Sequence, residues 1–288
     1  MSALPAKAVA NQSAVRLWAL KQTKRPRPMQ VHFVLLLGHD RQVTNTDWRP
    51  FITAQQIAEL GQLVNRLRAI DRTFRVFGSR QHRYSFGPVL PLAEVRAFES
   101  NHGIDLPPDY HCFLTTVGNG GAGPYYGLAP LADFGRDLST AFPFSQSVES
   151  IAELGQRVRG YELPGILEFC HQGCDNYSYL VVAGASYGTV WDGRPEDDDF
   201  RPTGLSFAAW YRHWAERVLR LLNNEHLVPL LRIGMTEADV NALVGGDWKK
   251  RQALSRAVWL FESSDIPAQL ELDQRGIVTK VTPWSFIV

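Results

Sequence analysis

An α+β fold, an antiparallel sheet with flanking helices plus a small C-terminal αβββ unit, is predicted by three features of the sequence. First, strand-like runs at Ile166 to Cys170, Tyr177 to Val182 and Gly188 to Trp191 are divided by glycine and asparagine turns. They come together mid-chain without the βαβ alternation of a parallel sheet. Second, helical stripes flank them: Tyr110, Phe113, Leu114 and Val117 before, and Phe207, Trp210, Tyr211 and Trp214 after. Third, the last 66 residues read as one helix followed by three short strands.

In chain order, residues 1–28 carry six Lys/Arg and no acid, and Pro26 and Pro28 forbid a continuing helix, which predicts a flexible basic tail. Residues 29–73 read as a strand, Gln30 to Leu37, then a helix. Thr53 is its expected N-cap and Gln56 completes a capping box, with Ile57, Leu60, Val64, Leu67 and Ile70 on one apolar stripe. The central module, 74–222, opens with a short strand at Thr73 to Phe77. Helices follow from Leu92 to His102 and from Pro108 to Val117, with another helical turn at Ser147 to Gly155. In the final unit, 223–288, Thr236 is the expected N-cap and Asp239 sits at its N3 position. That helix stops at Gly245-Gly246, before runs at Ala257 to Phe261, Ala268 to Leu272 and Ile277 to Val281.

Composition excludes several classes. Apolar content of 45% and charged content of 20% are those of an ordinary globular protein, and no apolar run approaches the ~18 residues that span a bilayer. Three cysteines argue against a disulfide scaffold and fit a reducing cytoplasm. Net charge is +1, but residues 1–84 carry 14 Lys/Arg against 4 Asp/Glu, whereas 85–222 carry 9 Arg against 17 Asp/Glu. An acidic module thus follows a basic arm, a contrast that bears on partner choice rather than on fold.

The glycine-rich run Gly118 to Gly123 follows a helix and contains no lysine. A phosphate loop leaves a strand and opens a helix, so this run is expected to be a helix stop and tight turn. Cys170-His171 and Cys174 supply only half of a zinc pattern, and buried cysteines acting as small hydrophobes are expected instead. There is no GxSxG, HExxH or Walker sequence. Catalytic residues, cofactor and metal are therefore all expected to be none.

The segment Phe86 to Tyr110 carries an amphipathic helix with a Phe98-Glu99 pair and a G-I-x-L-P-x-D-Y connection from Gly103. It is followed by F-L-x-x-x-G-N-G-G-A-G-P-Y-Y-G-L from Phe113 to Leu128. Together with Gly173 to Asp192 and Ser206 to Leu219, these blocks resemble the SUKH (Smi/Knr-like) superfamily over about residues 74 to 222. The resemblance implies a non-enzymatic immunity protein that binds a cognate bacterial toxin, often a nuclease, and occludes its active site. A Smi/Knr-like regulatory scaffold that holds a protein or peptide partner is the alternative it implies. Neither nucleic acid, membrane nor a small-molecule substrate is the expected partner.

Asp192 and the run Glu196, Asp197, Asp198 and Asp199 form the densest acidic feature. Their spacing does not alternate as calcium ligands do. A solvated loop is one reading, and a surface for a basic toxin is the other. Tyr125 and Tyr126 beside the glycine turn are candidate interface anchors, with core packing as the alternative. Trp191 is assigned to the core.

Overall fold

The computed structural model describes residues 53–132, 137–145, 163–194, 201–245, 248–252, 259–263 and 266–284. The predicted basic tail, the strand at Gln30 to Leu37, the turn at Ser147 to Gly155 and the run Glu196 to Asp199 lie outside these residues.

Helix α1 (Ala54–Ile70) begins on the predicted capping box. Thr53 Oγ1 accepts from the Gln56 N–H at 3.2 Å, and Gln56 Oε1 accepts from the Thr53 N–H at 2.9 Å. Ile57, Leu60, Val64 and Leu67 are fully buried, but Ile70 is 43% exposed, because the helix ends there and the chain turns away at Asp71. The expected strand at Thr73 to Phe77 is reduced to a single bridge residue, Val76. The Asp71 carboxylate draws the N–H groups of Arg75 and Val76 inward at 2.7 and 3.1 Å, leaving them unavailable to a ladder. A short helix, α2 (Ser79–His82), follows instead.

Helices α3 (Leu92–His102) and α4 (Pro108–Thr116) are joined by the Gly103 to Pro107 connection. Gly103 takes φ +63 as the C-cap of α3, and Glu99 Oε1 accepts from the Leu106 N–H at 2.9 Å. Asp109, in the first turn of α4, then reaches across to the next helix. Its Oδ2 accepts from the Ala208 N–H at 2.9 Å, placing a buried carboxylate at the positive end of α5 (Phe207–Asn223). Burial raises the pKa of Asp109 above its ordinary value.

The main sheet is an antiparallel meander in the order β1 (Ile166–Gly173), β2 (Asn176–Val181), β3 (Thr189–Gly193) and β4 (Arg201–Ser206). Strand alternation gives it two buried faces. Leu167, Phe169, Leu180 and Val190 join α1, α4 and α5 in the principal core. Ile166, Tyr179, Val181 and Trp191 face the other way and are covered by Phe142, Phe144 and Leu163. Trp191 is fully buried, as expected of a core residue.

The chain then passes through a 3-10 segment, Glu225–Leu230, to α6 (Glu237–Val244), which carries the predicted Thr236/Asp239 capping box. Four strands follow in meander order: β5 (Trp248–Gln252), β6 (Trp259–Ser263), β7 (Ala268–Leu272) and β8 (Val278–Pro283). The first of them adds to the three expected from sequence. Val240, Ala268, Leu270, Leu272 and Val278 form their own apolar cluster, while Trp284 reaches the principal core.

Candidate functional site: an aromatic shelf beside the glycine turn

Helix α4 is capped at Val117, and the chain then runs through Gly118 to Gly123 against the strand-like stretch Ser85 to Gly87. Gly87 N–H donates to Gly120 at 3.1 Å and Ala122 N–H to Ser85 at 2.8 Å. A Cβ on Gly121 would lie 2.3 Å from the Ser85 carbonyl oxygen, and its φ is +96. Gly120 has φ +78. These glycines admit neighbouring backbone, which is the turn geometry expected from the sequence.

The turn delivers Tyr125 and Tyr126 to the sheet. Tyr125 sits at φ +52, a left-handed conformation that is costly for a bulky side chain and is held here by close packing against the Gly78 backbone. Tyr126 N–H donates to the His171 carbonyl at 3.3 Å, and the Ala129 N–H to Phe169 at 2.8 Å, so the loop lies along the outer edge of β1. The rings then form a series. Phe77 meets Tyr126 at 5.2 Å, Tyr126 stacks on His171 at 5.4 Å, and His171 stacks on Tyr177 at 4.8 Å. His171 is exposed, and the other three are half-buried. The paired register His171↔Tyr177 follows from the β1–β2 hairpin, whose turn residues Cys174 and Asp175 have φ 49 and 61.

On the opposite sheet face, Asp192 Oδ1 accepts from Ser178 Oγ at 2.6 Å and from Gln172 Nε2 at 2.8 Å. Burial, with Asp192 nearby, raises the Tyr125 phenol, and Arg217 and Arg201 oppose that shift. Of the residues expected at the site, Tyr125, Tyr126 and Asp192 are therefore brought to one end of the sheet. Tyr125 also packs on the principal core, as the alternative reading had it. Glu196 to Asp199 lie outside the described residues. His171, Tyr177 and Phe77 were not foreseen. The usable signal was the hairpin register, which places His171 opposite Tyr177 once the turn is assigned to Cys174-Asp175.

Cys170 is fully buried, with Sγ 3.4 Å from the Pro124 carbonyl and its thiol pushed well up by burial, so it is a poor nucleophile. Cys112 is half-buried, but Cys174 is exposed at the hairpin tip, contrary to the expectation that the cysteines are buried. Its position outside any apolar layer follows from the turn. Among the described residues, no group of three or more His, Cys, Asp or Glu could hold a metal.

The remaining conspicuous motif residues hold the fold together. Gly103, Glu99 and Asp109 cap or tie helices, Tyr110 fills the core, and Tyr211 Oη donates to the Ala122 carbonyl at 2.7 Å. Residues 90–213 match the family model of the SMI1 / KNR4 family (SUKH-1). The chain carries a SUKH domain. No curated protein and no solved structure matches the chain. The matched stretch begins after α1, although the buried stripe of that helix shares the principal core of the SUKH domain. No helix among the described residues is long and apolar enough to cross a membrane.

One buried group beneath the turn is expected to make the protein sensitive to acid. His82 Nδ1 accepts from the Tyr84 N–H at 3.0 Å, which fixes a neutral ring. Its Nε2 is buried without a hydrogen bond. Burial pushes its pKa from 6.5 to about 4, with the Gly123 backbone opposing weakly. Between those values the unfolded chain binds a proton that the folded chain refuses. Stability is therefore whole above pH 6.5 and falls as the pH drops toward 4. The expected loss is about 3 kcal/mol. Urea midpoints at pH 7 and pH 4.5 should show it, and His82→Asn, which keeps an acceptor near Nδ1, should lose most of that pH dependence. Asp109 works in the opposite sense, so the difference between wild type and His82→Asn is the quantity to read. Equal pH dependence in both proteins would exclude His82 as the cause.

Proposed function

We propose that the SUKH domain is a non-enzymatic immunity module that binds a cognate bacterial toxin in the cytoplasm and occludes its active site. A nuclease is the toxin class that the acidic charge of residues 85–222 suits. The observation that carries this reading is the strained placement of Tyr125, with Tyr126 beside it, on a loop bonded to the sheet edge. A rigid pair of amphipathic rings is what an interface anchor requires. Asp192 and the run Glu196 to Asp199 would supply the steering charge. Of the groups beside the loop, Cys170 is engaged by burial and Asp192 by two hydrogen bonds.

The direct test is co-expression with the product of the neighbouring open reading frame. A neighbour that kills cells only when this protein is absent supports immunity. A harmless neighbour, together with capture of a cell-wall or signalling partner, supports the regulatory scaffold. Replacing Asp197, Asp198 and Asp199 by Lys should slow association with a basic toxin at least tenfold at low salt while leaving the melting temperature nearly unchanged. Association rates equal to wild type would remove this loop from the interface.

A further inference from the structure

The stretch from Arg68 to Ser85 gathers positive charge around a single buried acid. Its only carboxylate, Asp71, is 3% exposed and is consumed by hydrogen bonds to Arg75, Val76, Ser79 and Tyr84. Arg75 pairs with Glu225. Arg68, Arg72, Arg80 and Arg83 are exposed and meet no carboxylate among the described residues. Arg68 Nη2 donates to Ser85 Oγ at 2.8 Å, which ties the end of α1 to the far end of the loop, so the four exposed arginines belong to one closed stretch of chain, an arginine knob. Such a charge, carried by arginine alone, is suited to phosphate oxygens, which the guanidinium fork engages two at a time.

The knob adjoins the aromatic shelf. Phe77 lies within it and touches both Tyr125 and Tyr126, at 6.5 and 5.2 Å between ring centres. The Gly78 backbone, one residue before α2, is pressed against the Tyr125 carbonyl. Exposed arginines next to a partly exposed stack of aromatic rings are the two elements of a single-strand nucleic-acid platform: cations follow the backbone, and bases extend the ring stack. A membrane surface would call for an apolar stripe to insert, and within Arg68 to Ser85 only Ile70 is an exposed large apolar residue.

We propose that the arginine knob and the aromatic shelf together bind single-stranded nucleic acid without sequence preference. This site does not rest on the immunity reading. Tyr126 belongs to both surfaces, so toxin and nucleic acid would compete for it.

The experiment is fluorescence anisotropy of the full chain with labelled 15-nucleotide single-stranded RNA and DNA, and with a duplex of the same length, from 25 to 200 mM salt. Single strands should bind at least tenfold more tightly than duplex. The variant R68Q/R72Q/R80Q/R83Q should weaken binding and flatten the dependence of log K on log salt by roughly three, at about 0.7 per lost phosphate contact. Tyr126→Ala and Tyr177→Ala should each weaken single-strand binding at least fivefold. Melting curves establish that each variant is folded, and a conservative Tyr126→Phe restores binding if a misfolded Tyr126→Ala confuses the result. Binding unchanged in the arginine variant would locate affinity in the basic segment before residue 53 and overturn the proposal. So would equal affinity for duplex, or retention only on anionic phosphatidylglycerol vesicles.

Discussion

Phe207→Ala is expected to destabilise the protein by about 4 kcal/mol, the middle of the range for removing a buried aromatic side chain. Phe207 is fully buried at the first residue of α5. Its ring centre lies 4.8 Å from that of Tyr110, 5.1 Å from Phe113, 5.7 Å from Phe169 and 5.9 Å from Tyr211. These contacts join α4, the main sheet and α5, so the cavity left by truncation is bounded by three separately anchored elements. None of them can close it without disturbing another, which is the condition under which cavity costs are high. The melting temperature should fall by roughly 10 °C. Phe207→Leu should recover more than half of the loss. A drop of only a degree or two for Phe207→Ala would mean that this junction repacks freely and is not a rigid core.

The reasons why sequence reasoning succeeds in some places and fails in others are visible in particular residues. The capping boxes at Thr53/Gln56 and Thr236/Asp239 are local devices, closed within one turn of helix, and both stand where the spacing put them. The aromatic stripe of α5 is likewise set by its own periodicity, with Phe207, Trp210 and Tyr211 all buried. Failure begins where a distant or charged group commands the backbone. Thr73 to Phe77 has a strand's composition, but the Asp71 carboxylate claims its N–H groups. At β4, Arg201–Ser206, proline and glycine hide an edge strand. Edge position explains why both are tolerated there. Tyr125 and Tyr126 were legible as candidates because they follow a glycine turn. His171 and Tyr177 were not, since their meeting depends on a two-residue hairpin turn made by Cys174 and Asp175 rather than by the usual Asn-Gly pair.

Asp71→Ala should destabilise the protein by about 3 kcal/mol, although it removes few atoms. The wild-type carboxylate accepts from the Arg75 N–H at 2.7 Å and the Tyr84 hydroxyl at 2.8 Å, with Val76 N–H and Ser79 Oγ at 3.1 and 3.4 Å. Alanine leaves the N–H groups of Arg75 and Val76 and the Tyr84 hydroxyl without this acceptor, whereas Ser79 Oγ keeps its 2.7 Å bond to the Val76 carbonyl. Asp71→Asn is the informative companion. Its amide oxygen can satisfy Arg75, but its NH₂ would face the N–H of Val76 and the hydroxyl of Tyr84, so about half of the loss should remain. A structural readout separates local from global failure. Burial chiefly, and the Asp71 carboxylate secondarily, hold the Tyr84 phenol above its ordinary pKa, and Asp71→Ala should bring that titration down as the loop opens. Phe74, Arg83 and Tyr84 all sit at positive φ in this loop, at 54, 50 and 54. Without Asp71 the loop loses the acceptor that gathers it, so that backbone cost is less opposed and the segment from Arg72 to Tyr84 should loosen. Amide hydrogen exchange should then quicken across residues 72–86 while α4 and α5 stay protected. Exchange that quickens uniformly would show that the loop and the core unfold as one unit, and unchanged exchange would show that another group organises the turn.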